Sequence, residues 1–519
     1  MNAPTAPMGS PIPTLFSPDG QLVSAIAGEG KTQLETVTLP AFLPFQRWFG
    51  AKDSTITGVS LSPLGELEPG AHALVAADVE VGGETQRYLL PVSAVWSDMG
   101  RGSAGAAASP VLAKISTEAR TGELIDGALD AGFAKALLHA LREETHLSTA
   151  AGEVVFSATD ALPASRDIGE PRPLGAEQSN VSIAFGTSII LKLYRRLREG
   201  EQPDVEVARF LSAEANFANT PPFLGEIQFR PNSGEPTTLA AVFAFVPNQG
   251  DAWAAVTNAL TQSLFDEAAE DGTWIGAVLG QRTAEMHKAF AVETDEPAFR
   301  VEELATPDIA GWTQEAVAEA NDLLARLQQS LGTLPDAARA IAEQILQQRD
   351  ELIARIGAGS DMAPSGGRSR IHGDYHLGQV LVTGRDVMII DFEGEPKRSL
   401  PERRAKSSPL RDVAGMLRSF HYAAWTALSR YQAEKGSVPD AVRQRVEDWR
   451  RTISADFIAA YEEHVAGAAS FPPDPAFARA LTEMFLLQKA IYEVGYELAN
   501  RPAWVEIPLS GIQDLLSEG

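Results

Sequence analysis

The apolar pattern of this chain changes character near residue 250, and that change sets the fold class. From 56 to 246 the apolar residues come mainly in strand-length runs. The clearest is Ala71-His72-Ala73-Leu74-Val75-Ala76-Ala77-Asp78-Val79-Glu80-Val81, turned at Gly82-Gly83 into Gln86-Arg87-Tyr88-Leu89-Leu90-Pro91-Val92, a hairpin signature. Between 121 and 148 the spacing is helical, through Leu124, Ile125, Leu129, Phe133, Leu137, Leu138 and Leu141. Runs at 182 to 185 and 188 to 194 flank a Gly186-Thr187 turn, and a helix opens at Pro203-Asp204. Beyond 250 the period is helical over 251 to 292, 312 to 357, 409 to 431, 439 to 467 and 474 to 500, broken by a strand-rich piece at 369 to 392. The expectation is an α+β protein with a small β-rich N-terminal lobe and a large α-helical C-terminal lobe. Its divisions are a flexible lead-in over 1–35, rich in Pro, Gly, Ser and Thr, an additional N-terminal β-rich cap module over 36–120, a strand-rich lobe over 121–247 and a helical lobe over 248–519.

Composition removes several function classes. With 43 Lys+Arg against 69 Asp+Glu, 43 − 69 gives a net charge of −26. That argues against nucleic acid or an anionic membrane as partner. Any phosphate-binding site must then be a local positive island. Cysteine is absent, which excludes disulfides and thiolate chemistry. The N-terminus carries no apolar run of signal type, and no stretch approaches the ~20 apolar residues of a membrane span. A cytoplasmic location is expected.

The strand-rich interruption carries the chemistry. Arg370-Ile371-His372-Gly373-Asp374-Tyr375-His376-Leu377-Gly378-Gln379 leads into one apolar run, and Val387-Met388-Ile389-Ile390 leads into Asp391-Phe392-Glu393-Gly394-Glu395. Phosphoryl transfer needs a carboxylate to accept or orient the proton of the attacking hydroxyl, and hard oxygen ligands for magnesium. Asp374 suits the first role. Gln379, through its amide oxygen, and Asp391 suit the second, because a hairpin between them would bring both to its strand ends. A cation for the α/β-phosphates is also needed. Lys192 lies in a mostly apolar strand run, where a lysine is unusual without a partner or a task. Glu206, fourteen residues later (206 − 192) in the first turns of the next helix, is the expected partner, with Glu201 as competitor. A glycine-rich phosphate loop is missing, and Gln178, Ser179 and Asn180 occupy the matching hairpin. Phe245 and Val246, before Pro247-Asn248, are expected to link the lobes and offer backbone to an adenine edge.

On these residues the chain resembles the aminoglycoside phosphotransferase-like kinases and, within them, the bacterial maltokinase group. Further motifs carry the likeness: Phe45-Gln46-Arg47-Trp48-Phe49-Gly50-Ala51-Lys52, Leu191-Lys192-Leu193-Tyr194-Arg195-Arg196, Phe245-Val246-Pro247-Asn248-Gln249-Gly250-Asp251 and Tyr492-Glu493-Val494-Gly495-Tyr496-Glu497. Where the broader family usually has Asn, this chain has Gln379, so the amide oxygen survives one methylene further out. The resemblance implies a bilobal protein-kinase-like fold with an N-terminal cap, and ATP and Mg²⁺ as cofactors. It implies a sugar acceptor, maltose in preference to glucosamine or another hexose, with maltose 1-phosphate feeding α-glucan (glycogen) synthesis from trehalose and trehalose synthase as partner. The acceptor is expected on the helical lobe, at His376, two residues past Asp374, and at Glu393, Tyr496, Glu497 and Arg501. On the helix at 474 to 500, Lys489, Glu493, Glu497 and Asn500 recur at i, i+4, i+8 and i+11. Asp412, at a helix start, is read as support for the catalytic loop through backbone amides.

Overall fold

A computed structural model describes residues 12–52, 54–97, 110–165, 167–175 and 180–517. The α+β division is observed: strands dominate the N-terminal region and helices the C-terminal part. The chain forms two compact units, residues 1–208 with 221–247, and residues 209–220 with 248–519.

The first unit holds two sheets. One contains β1 (Thr14–Phe16), β2 (Ile56–Glu68), β3 (His72–Val81), β4 (Glu84–Trp96), β5 (Val111–Ser116) and β6 (Thr121–Asp126), in the order β1-β5-β6-β4-β3-β2. The other contains β7 (His146–Thr149), β8 (Gly152–Ala158), β9 (Pro171–Pro173), β10 (Asn180–Phe185), β11 (Ile189–Tyr194), β12 (Phe223–Pro231) and β13 (Thr237–Ala244), in the order β7-β8-β12-β13-β11-β10-β9. Helix α1 (Ala131–Arg142) follows the first sheet, and α2 (Pro203–Ala213) follows β11.

Successive side chains of a strand point to opposite faces, and β3 buries both sets. Leu74 and Ala76 enter a core with Phe133, Leu137 and Leu141 of α1 and with Phe156, Ile183 and Leu191 of the second sheet. Ala73, Val75, Ala77 and Val79 enter another core with Leu22, Leu39, Phe42 and Phe49. A strand covered on both faces reads as one continuous apolar run, as β3 does.

The N-terminal segment differs from the expected lead-in. β1 and the helices Leu22–Ala25 and Gly28–Gln33 lie within residues 12–35. Leu15, Leu22, Ala25 and Ile26 are buried. The Glu66 carboxylate accepts from the Leu22 and Val23 amides at 2.9 and 3.3 Å, satisfying donors at a helix start. A few well-placed apolar residues among Pro and Gly are enough to dock this segment.

In the second unit α3 (Ile275–Ala289), α4 (Leu410–Lys435), α5 (Asp440–Val465) and α6 (Pro475–Asn500) form the helical body. A Cβ at Gly280 would run into the Phe457 carbonyl, so glycine permits the close approach of α3 to α5. Two strand pairs interrupt the helices, β14 (Glu302–Glu303) with β15 (Gly367–Arg368) and β16 (Val380–Thr383) with β17 (Asp386–Ile389). No described helix is long and apolar enough to cross a membrane.

Three histidines tie stability to pH. Burial lowers the pKa of His72, His376 and His421 below the ordinary imidazole value. The unfolded chain therefore binds more protons than the folded chain below about pH 6.5. Their contribution is complete above that pH and is lost as pH falls through it towards the folded values. The thermal midpoint is expected to drop by several degrees between pH 7.5 and 5.5. A constant midpoint in a scanning measurement over that range would contradict this.

Candidate active site

The β16–β17 hairpin sets the relation between Gln379 and Asp391. Val380 pairs with Ile389, and the Ile390 amide donates to the Gln379 carbonyl at 3.0 Å. Gln379 and Asp391 thus flank the open end of one short hairpin. Asp391 has φ +66°, a left-handed conformation that a non-glycine residue adopts at a cost. Asp391 and Glu393 each bring a carboxylate oxygen within 4.8 Å of the other's. Two carboxylates and an amide oxygen are the hard donors that suit Mg²⁺.

The loop carrying Asp374 is pinned from beneath. Asp412 of α4 accepts from the His372 amide at 2.7 Å and from the Gly373 amide at 2.9 Å. Its carboxylate also lies 3.1 Å from His287 Nε2, and His287 Nδ1 lies 2.9 Å from the Tyr461 hydroxyl. This suits an Nε2–H that donates to Asp412. Asp412, His287 and Tyr461 are all buried. Burial pushes the Asp412 carboxyl up, but the hydrogen bond and charge of His287, with His372 and the Gly373 amide, outweigh it and leave the group below its ordinary value. The reading of Asp412 as a support holds, through the amides of the loop rather than those of its own helix. On the other side His372 Nε2 lies 2.9 Å from the Ile390 carbonyl, which ties the loop to the strand leading to Asp391. Past Asp374, the Tyr375 hydroxyl meets Thr283 at 2.9 Å, and the Leu377 amide donates to Ser419 at 3.1 Å. Asp374 is thus held by its neighbours while its own side chain stays partly open, at 21% exposure.

Asp374 opens into a cleft lined also by Glu319, Glu395, Arg398, Arg411, Phe485, Gln488, Lys489 and Tyr492. Most of its charges are committed to one another. Arg398 Nε donates to Glu395 at 3.3 Å and its Nη2 to Glu315 at 3.4 Å. Gln488 accepts from Arg411 at 3.0 Å and donates to Glu319 at 3.1 Å, while Arg411 lies 4.4 Å over the Phe485 ring. Burial raises the pKa of the Tyr492 hydroxyl, and the neighbouring Glu395 carboxylate adds to that. Lys489 Nζ lies 3.6 Å from Asp374 Oδ1.

None of the five acceptor candidates named from the sequence is among the residues lining this cleft. His376 Nδ1 accepts from the Gly378 amide at 3.0 Å, and burial favours its neutral form. Glu393 lies 4.0 Å from Arg403. Glu497 is buried, receives two bonds from Arg501 at 2.9 and 2.6 Å and accepts from Tyr422 at 3.3 Å. Tyr496 lies beside the cleft residue Tyr492, with Lys397 over its ring at 4.9 Å and over that of Tyr492 at 5.3 Å. The reason is helix geometry. Steps of four residues drift by about 40° each, so Glu493 and Glu497 turn away from Lys489 towards α4, where Glu493 meets Arg418 at 2.7 Å. The cleft face is Phe485, Gln488, Lys489 and Tyr492, at i, i+3, i+4 and i+7. That spacing was present in the sequence, but nothing local marked it over its neighbour.

In the first unit Lys192 Nζ lies 3.0 Å from Asp204 Oδ2, and the Tyr194 hydroxyl donates to the same oxygen at 2.9 Å. Lys192 and Asp204 are both largely buried. Spacing alone favours Glu206 and gives Asp204 to the helix start. The structure puts Asp204 on the lysine, with Glu206 buried two residues further along α2. Asn180 is buried at the start of β10, opposite Tyr194, whereas Gln178 and Ser179 lie outside the described residues. The Phe245 amide donates to the Ser188 carbonyl at 2.9 Å, so it is already engaged. Val246 follows, half-buried.

Residues 170–449 match the model of the phosphotransferase enzyme family, and residues 42–130 match that of the maltokinase N-terminal cap domain. Among curated relatives, a glucosamine kinase of Mycolicibacterium smegmatis is 28% identical over 398 residues, spanning 75% of this chain and 89% of the relative. A glucosamine kinase of Streptacidiphilus jiangxiensis is 26% identical over 368 residues, spanning 70% and 77%. The fold is similar to that of a glucosamine kinase solved in complex with glucosamine, ADP and inorganic phosphate. The TM-score is 0.63 at 22% identity, over 88% of this chain and 94% of that one.

Proposed function

Because the chain belongs to the phosphotransferase enzyme family, we propose that it is an ATP-dependent sugar kinase whose acceptor is maltose and whose product is maltose 1-phosphate. The observation that carries this reading is the Asp374 loop, fixed by Asp412 and His372 yet presenting a partly open carboxylate to a polar cleft. In the proposed reaction the anomeric hydroxyl attacks the γ-phosphorus, ADP leaves, and Asp374 orients that hydroxyl and takes its proton. Lys192, fixed by Asp204, is assigned to the α/β-phosphates. Magnesium bound by Gln379 and Asp391, with Glu393 beside them, would neutralise charge on the β- and γ-phosphates.

Support for maltose comes from the cap-domain match and from the charge state of the cleft. Glu395 and Glu319 already accept bonds from Arg398 and Gln488, so neither carboxylate stands as a free anion for an ammonium group. The names of the relatives favour glucosamine, and that is the second reading. In the maltose reading trehalose synthase supplies the acceptor, the product feeds glycogen-type glucan synthesis, and the enzyme works in the cytoplasm. A panel of maltose, glucose and glucosamine with ATP and Mg²⁺, followed by ³¹P detection, separates the two. A C1 ester on maltose is expected. A C6 ester on glucosamine would change the acceptor and keep the kinase, whereas no transfer to any sugar would reject both readings.

A further inference from the structure

One cation of the cleft takes no part in the reaction as just described. Lys489, on α6, holds its ammonium 3.6 Å from Asp374 Oδ1 and 5.3 Å from the Tyr492 ring centre. Its side chain is 32% exposed, so it is not a buried strut. The other cations of the cleft, Arg398 and Arg411, bond to Glu395, Glu315 and Gln488. Lys489 instead faces the carboxylate that must receive the acceptor's reacting hydroxyl. Whatever the acceptor carries beside that hydroxyl is presented to a fixed positive charge.

We infer that Lys489 selects the acceptor in this cleft by charge, admitting a neutral, oxygen-rich sugar and rejecting an aminosugar. This rests on the sugar-kinase reading above and adds to it the residue responsible for the choice. Two effects act in the same direction. Hydroxyl and ring oxygens of a neutral sugar accept hydrogen bonds from the ammonium. An aminosugar brings a second ammonium to within a few ångströms of the first, and like charges at that distance in a partly solvated cleft differ from a neutral contact by at least roughly tenfold in binding. Without Lys489, Asp374 would be the nearest charge and would attract the aminosugar. Glu395 and Glu319 also face the cleft, but Arg398 and Gln488 bond to them.

The test compares Lys489→Gln and Lys489→Arg with the unmodified enzyme, measuring kcat/KM for maltose and for glucosamine. Lys489→Gln should raise the glucosamine-to-maltose ratio at least roughly tenfold, mainly through KM for glucosamine. Lys489→Arg, which keeps the charge, should leave the ratio near that of the parent. A pH series gives an independent readout. In the parent the ratio should climb as the aminosugar loses its proton, and in Lys489→Gln the climb should be lost. A ratio unmoved by Lys489→Gln, or moved equally by Lys489→Arg, would overturn the inference and leave Lys489 a general support of Asp374. The acceptor reading is judged separately, by which sugar the parent enzyme prefers.

Discussion

Asp374→Asn is expected to lower turnover by about 10²- to 10⁴-fold, the range for losing a positioned base. The substitution keeps the shape of the side chain and removes its charge, and with it the capacity to take a proton. The loop should survive it, because the bonds that hold the loop come from Asp412, Ser419 and the His372–Ile390 contact rather than from Asp374. Nucleotide binding should survive too, since Lys192 and Asp204 belong to the other unit. Steady-state turnover with each sugar and the shift of thermal midpoint on adding Mg-ATP test both halves together. Near-normal turnover would remove Asp374 from the chemistry. A lost midpoint shift would place it in nucleotide binding instead.

Asp412→Ala should produce the largest loss of stability. Removing this buried carboxylate strips the acceptor from two amides, those of buried His372 and half-buried Gly373, and the partner from His287. Orphaned buried donors cost about 1–3 kcal/mol each. A loss of about 3–5 kcal/mol would lower the midpoint on the order of 10 °C. Turnover should fall with it, because the same bonds position Asp374. Asp412→Asn is the informative companion, since its single carbonyl can serve one amide while its NH₂ faces the other. It should sit between Ala and the parent in both measurements. Calorimetry placing Asp412→Ala within a degree or two of the parent would mean that the loop is held by other bonds.

What could be read from the sequence was what lay close together along it. Asp374, Gln379 and Asp391 are joined by one short hairpin, so strand register alone brings two of them side by side. The shift from strand to helix near residue 250 needed only periodicity. Legibility failed where distant segments decide. β8 pairs with β12, some seventy residues away, while the nearer strand β9 goes to β10. Leu124 and Ile125, counted with a helix by their spacing, end strand β6, because a short apolar pair fits either period. Asp204 and Glu206 stand two residues apart on α2, and spacing alone did not single out Asp204, which lies 3.0 Å from Lys192. The cleft draws Glu319, Glu395, Arg398, Arg411 and Lys489 from segments up to 170 residues apart, since 489 − 319 is 170. No local pattern announces such a set.

The two-faced burial of β3 bears on how such a chain can be rearranged over evolution. Residues 42–130 are recognisable as a domain of their own. Yet Leu74, Ala76 and Leu89 share a core with Phe133 and Leu137 of α1 and with Ile183 and Leu191 of the second sheet. Cutting the chain after residue 130 would uncover that shared apolar layer in both halves. The cap is therefore not a detachable accessory. Lineages that exchange or discard it must also redesign α1 and the inner face of the seven-stranded sheet, so the cap and the strand-rich lobe are expected to be inherited as one piece.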